Sequence, residues 1–267
     1  MKTMKNISKC LAAILLVVNL SSCVDLEPEP LSFFAPENTF MDKEGLEALL
    51  ITSRKQIKWE WFGDAFNAGY CETPLVYEYA WSDVSVMGAP EVKEIHNLET
   101  QLTPTTSMAL HLRYWDLAWN GIKYANTVIS RVPKSTIDNE TDKNELLAEG
   151  YFHRAYWYYL LVNQWGDVPL LLEEITEPKL DFYTVSRMKI LQQMKTDMEF
   201  AVKWLPKNVK PGCVNRAAGE HLLAKIYLST GDFQLAVDAT TRCINDYGLH
   251  LMKERFGVNA EGGSLDA

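Results

Sequence analysis

The sequence predicts an all-α protein in which tetratricopeptide-like helix pairs form a right-handed superhelical scaffold, with one long aromatic-rich loop region. Three observations carry this reading. Apolar residues recur at three- and four-residue spacing over most of the chain, the period of amphipathic helices. Strand and helix signals do not alternate in the βαβ manner, which excludes a doubly wound fold. Leu223, Ala224, Tyr227, Gly231, Phe233 and Ala236 fall at the spacing of a tetratricopeptide-type helix pair.

From the N-terminus, Met1 to Ser22 reads as a lipoprotein signal peptide. Lys2, Lys5 and Lys9 make a positive start, followed by the apolar run Cys10 to Val18. That run is short of the about 20 apolar residues a bilayer span requires, and fits the apolar stretch of a secretory signal. Leu20-Ser21-Ser22-Cys23 has the form of a lipobox, which makes Cys23 the expected lipid-attachment residue, carrying diacylglycerol and palmitate. Residues 23–36 follow as an extended acidic tether. In Asp25-Leu26-Glu27-Pro28-Glu29-Pro30 the prolines lack amide donors and restrict their neighbours, so no helix forms.

Helical periodicity then starts near Lys43 and runs to Trp59, with Leu46, Leu49, Leu50 and Ile57 on one face. Between about Gly63 and Thr106, Gly63, Gly69, Pro74, Gly88, Pro90 and Pro104 break the pattern and predict a long loop region. Helices resume over Thr106–Arg131, Asp142–Trp165, Ser186–Leu205, Arg216–Ser229 and Phe233–Tyr247. In the last pair, small Ala224 and Ala236 allow close approach, Gly231 opens the turn, and Tyr227 and Phe233 are expected to plug the seam. One such pair cannot bury its own apolar face. The helices near Trp115–Ile129 and Leu146–Leu161 are its expected stacking partners. Within these helices Asn126 is expected to bond across to another helix. Arg154 is expected to pair with an acid or cap a helix end, while Gly166 and Pro169 close their helix.

The formal net charge is −9, and removal of residues 1–22 takes away three lysines and no acid, giving −12. Such a chain is a poor nucleic-acid binder, because phosphate recognition needs clustered Lys and Arg. Cys71, Cys213 and Cys243 lack metal-site spacing and read as packing residues, with a Cys213–Cys243 bond as the alternative. The five histidines show neither HxxxH nor HExxH spacing, and no phosphate loop or nucleophile elbow occurs. No catalytic or metal-binding set is expected, although Asp64, Glu72 and Asp83 offer oxygens that leave calcium open.

Three stretches carry a family resemblance: Trp115-Asp116-Leu117-Ala118-Trp119-Asn120-Gly121 through Ile129, Phe152-His153-Arg154-Ala155-Tyr156-Trp157 through Trp165-Gly166-Asp167-Val168-Pro169, and Val214-Asn215-Arg216-Ala217-Ala218 through Gly231-Asp232-Phe233. In this order and behind a lipobox, they resemble the SusD/RagB family of nutrient-binding outer-membrane lipoproteins. The resemblance implies that residues 37–250 form the N-terminal helical domain of that family, and that 251–267 begin a truncated C-terminal region. It further implies a non-enzymatic, surface-exposed, lipid-anchored receptor of the outer membrane. Such a receptor would capture oligosaccharides or peptides and deliver them to a SusC-like TonB-dependent transporter. Sugar capture needs flat aromatic faces edged by polar groups. The candidates are Trp81 first, then Trp61, Tyr70, Tyr79, Asp83 and Asn67, with Trp59 and Tyr77 beside them. Each of these aromatics could instead anchor the loop to the core. Trp115, Trp119, Tyr156, Trp157 and Tyr159 lie at helical spacing and read as core. A helical glycoside hydrolase or lyase, or a protein-only repeat scaffold, are the alternatives, and no carboxylate pair marks the first.

Overall fold

A computed structural model describes residues 41–62 and 109–251. They form six α-helices: α1 (Lys43–Phe62), α2 (Ala109–Arg131), α3 (Glu140–Gln164), α4 (Arg187–Trp204), α5 (Arg216–Thr230) and α6 (Phe233–Asn245). A 3-10 turn, Val132–Lys134, follows α2. Two short antiparallel strands, β1 (Val168–Pro169) and β2 (Thr184–Val185), bracket the α3–α4 connection, pairing Val168 with Val185 and Pro169 with Thr184. The all-α class and the helix pairs are as the periodicity predicts. Cys23, the expected lipid-attachment residue, the expected tether over residues 23–36 and the positions from Gly63 to Thr106 expected to form a loop lie outside the described residues. So do Asn67, Tyr70, Tyr79, Trp81 and Asp83, together with the calcium candidates.

Sequence explains where each helix starts and stops. The Asp42 carboxylate accepts the Gly45 amide at 2.9 Å ahead of α1. Asn139 caps α3 by accepting the Thr141 amide at 2.8 Å, and Glu140 and Asp142 in the first turn suit the positive end of the helix dipole. Asn215 caps α5 through the Ala218 amide at 2.9 Å. Gly166 (φ 73°) follows α3, and Gly231 (φ 82°) ends α5 in the left-handed conformation that costs glycine nothing.

Helix α3 is central among the described helices. It buries residues around most of its circumference, Phe152, Ala155, Trp157, Tyr158 and Leu161 among them, as expected of a helix enclosed by neighbours. It packs on α2 and α4; α4 carries α5, and α5 carries α6. Gly121 of α2 permits the α2–α3 contact, because a Cβ there would fall on the fully buried Trp157 indole. Helix α1 lies across α2 and α3 through a second cluster of Leu46, Leu49, Leu50, Val128, Val132, Ile137 and Leu146.

The last pair corrects two expectations. Ala224, Tyr227 and Ala236 are buried in the seam, but Phe233 is 66 % exposed and plugs nothing. It is the first residue of α6 and lies at helical spacing with exposed Val237 and Ile244 on a face that no described element covers. The pair also stacks chiefly on α4, with only a small direct contact between α5 and α3. Cys213 and Cys243 are both free thiols, so the alternative of a bond between them is not realised. Among the described residues, no helix is long and apolar enough to cross a membrane.

Candidate functional site

The connection from α3 to α4 leaves the core, forms an excursion over residues 170–183, and returns across the β1–β2 ladder. A cavity of about 600 Å³ opens between this excursion and α2. Trp115, Trp119 and Ile122 of α2 form one wall, and Pro169 of β1 with Leu171, Ile175 and Phe182 of the excursion form the other. Helical periodicity puts Trp115, Trp119 and Ile122 on one stripe of α2. Trp115 and Trp119 meet edge to face at 5.4 Å, and Trp115 also meets Trp165 at 5.2 Å. Trp165 stacks on Tyr114, and Trp119 meets Tyr158 edge-on at 6.1 Å. These contacts fix the ring planes that face the cavity. The Trp119 indole N–H is buried without an acceptor among the described residues, so the fold leaves that donor unspent.

A buried polar network sets the opposite wall. Arg154 of α3 makes a two-pronged pair with Asp197 of α4, at 2.8 and 3.0 Å, with both side chains 4 % exposed. Its remaining nitrogen donates to the Asn126 amide oxygen at 3.1 Å and to the Leu172 carbonyl at 2.8 Å. Asn126 in turn donates to the Leu171 carbonyl at 2.9 Å. The guanidinium also lies 5.1 Å from the Tyr151 ring centre. Arg154 pairs with an acid and Asn126 bonds across helices, as the sequence suggests, and together they grip a loop backbone as well. Tyr158 completes the grip. Its hydroxyl accepts the Leu171 amide at 2.6 Å and shares its proton between the Pro169 and Leu171 carbonyls at 3.2 Å each. Burial pushes this phenol far above its usual pKa, and only in part does the Leu171 amide oppose it, so the donor persists. Farther out, Arg131 forks onto Glu174 at 2.9 and 2.6 Å, and the Glu174 amide donates to the Ser130 hydroxyl.

The mouth carries Lys123, Glu173 and the already paired Glu174. No group of three His, Cys, Asp or Glu side chains among the described residues is placed to hold a metal. Chemically, the site offers flat apolar faces inside and charged or hydroxyl-bearing groups at its edge, which suits a ring with one C–H face and a polar rim.

Of the sequence candidates, Trp61 lies within α1, and so does Trp59, whose half-exposed ring has Lys55 above it at 5.6 Å. Both therefore belong to a helix and not to the expected loop region, because α1 continues to Phe62. Trp115 and Trp119, read as core, pack on the core with one side and line the cavity with the other. Trp157 is wholly core. Phe182 was not legible as a site residue. Its only signal is an aromatic in a Pro- and charge-containing stretch between two helices.

Comparison with known proteins places these features in context. The SusD-like family described as starch-binding and associating with the outer membrane matches residues 71–228. The chain is 27 % identical over 238 residues to SusD-like protein P2 of Formosa agariphila, covering 87 % of this chain and 45 % of that protein. The crystal structure of a SusD superfamily protein from Bacteroides vulgatus superposes with a TM-score of 0.69 at 20 % identity, over 80 % of this chain and 46 % of that one. A laminarin-binding SusD-like protein superposes with a TM-score of 0.65 at 22 % identity, over 78 % and 46 %. The chain thus spans about half the length of the relatives it matches.

Proposed function

This chain belongs to the SusD-like family, and from that premise we propose that it is a non-catalytic glycan receptor of the outer membrane. In this reading lipid on Cys23 holds the acidic, helical body at the cell surface. There it captures an oligosaccharide, or a peptide, and hands it to a SusC-like TonB-dependent transporter. The observation that carries the reading is the cavity walled by Trp115, Trp119 and Phe182. Stacked or edge-on aromatic rings bind the C–H face of a sugar, while hydroxyls remain at the mouth beside Lys123 and Glu173. The laminarin-binding relative shares the fold and supports a glucan as the first ligand to test.

Isothermal calorimetry against laminarin, maltoheptaose, an acidic glycan and a peptide digest tests the proposal, with product analysis on the same samples. The expected result is binding of at least one glycan, no bond cleavage, and loss of that binding in Trp119→Ala. Cleavage that disappears on changing a carboxylate would turn the reading towards a hydrolase or lyase. Capture of a transporter barrel without any glycan or peptide binding would turn it towards a scaffold.

A further inference from the structure

The two halves of the 170–183 excursion are held very differently. In the near limb, Leu171, Leu172 and Glu174 are bonded to α2 and α3 through Asn126, Tyr158, Arg154, Ser130 and Arg131. In the far limb, Ile175 to Tyr183, no residue bonds to a helix within the described residues. The polar contact there is local, Lys179 to Asp181 at 3.2 Å. Leu180 is 96 % exposed and Tyr183 79 %. Ile175 and Phe182 line the cavity, yet each remains nearly half exposed and neither packs on the core cluster. A second, more open hollow of about 610 Å³ lies within the excursion itself, along Leu170 to Asp181. The limb therefore has apolar rings to bury, space to move through, and the β1–β2 ladder as a fixed base.

We propose that Ile175–Tyr183 is a flap that closes on the ligand, bringing Phe182 down as a third aromatic face opposite Trp115 and Trp119. The flap rests on the cavity being the glycan site. The near limb sets where the ligand lies, and the far limb supplies the closure. A ring held between Phe182 and the α2 tryptophans buries apolar surface on both faces, which a static wall would not achieve. Phe182 is then a ligand-contacting residue, and the flap selects for a flat ring.

Trypsin reads the flap directly, because the Lys179–Leu180 bond is at its exposed tip. With laminarin and maltoheptaose as probes, cleavage at this bond is followed by mass spectrometry while calorimetry measures binding. At a probe concentration about tenfold above Kd, cleavage after Lys179 is expected to slow roughly tenfold, since proteolysis tracks the open population. Phe182→Ala is expected to weaken binding about tenfold with the melting temperature unchanged. Binding with undiminished cleavage, or a Phe182→Ala variant that binds like the parent, overturns the flap and leaves the glycan reading standing. Absence of binding to either probe and to the wider glycan panel overturns both.

Discussion

Two guanidinium–carboxylate pairs flank α3, one enclosed and one part-buried, and they do different work. Arg154–Asp197 is enclosed, with both side chains 4 % exposed, and its spare donor is spent on a loop carbonyl and on Asn126. Arg54–Glu149 joins α1 to α3 at 2.5 and 2.8 Å, with 23 % and 10 % exposure, and shares its carboxylate with His153 at 3.4 Å. The second pair fastens one helix to another. The first also positions the cavity wall, so it couples the core to the site. A buried ion pair is no guarantee of net stability, because desolvation offsets the attraction. What distinguishes the Arg154 pair is the number of further polar atoms it satisfies, and that comparison can be broken experimentally.

The largest effect is expected at Arg154. Arg154→Ala leaves Asp197 buried without its partner and should destabilise by about 3–5 kcal/mol in urea unfolding. A loss below roughly 1 kcal/mol, the range of exposed pairs, would erase the difference between the two clusters. Next comes Tyr158→Phe, which keeps the ring and removes the acceptor of the Leu171 amide. It should cost roughly 2–3 kcal/mol if that amide is left unpaired, and should weaken glycan binding although Tyr158 touches no ligand. A stability loss with unchanged affinity would separate the network from the site.

The Glu149 cluster should show itself through pH. Burial raises a carboxyl pKa, but hydrogen bonds from His153 and Arg54 outweigh it and hold Glu149 below its ordinary 4.5. The folded value is the lower one, so its contribution is complete above 4.5 and drains as pH falls through that lower value. Between about pH 6 and about pH 3, the parent should therefore lose more urea resistance than Glu149→Gln. Parallel losses in the two proteins would remove Glu149 from the acid response. The smallest effect is expected for Arg242→Ala. Its fork onto Glu220, at 2.9 Å twice, joins an arginine side chain 44 % exposed to a carboxylate 4 % exposed. The space an exposed arginine vacates admits water to that carboxylate, so the loss should be about 1–2 kcal/mol, below that of Arg154→Ala.

Sequence alone determined the helices and their order. Apolar spacing, the cap at Gly231 and the close-packed Ala224 and Ala236 are local or nearly local signals, and all survive in the structure. The roles of Asn126 and Arg154 were half legible: a polar side chain inside an apolar helix must find a partner, but nothing in the chain says which one. Tertiary structure decided that the partners are Asp197, 43 residues from Arg154, and the backbone at Leu171 and Leu172. It also decided that Phe233 faces outward and that Trp115 and Trp119 have one face on the core and one on a cavity. The physical reason is that periodicity reports which side of a helix is apolar, and an apolar stripe looks the same whether it meets another helix, a loop or a space. Only the path of residues 170–174, held by hydrogen bonds to α2 and α3, turns that stripe into a cavity wall.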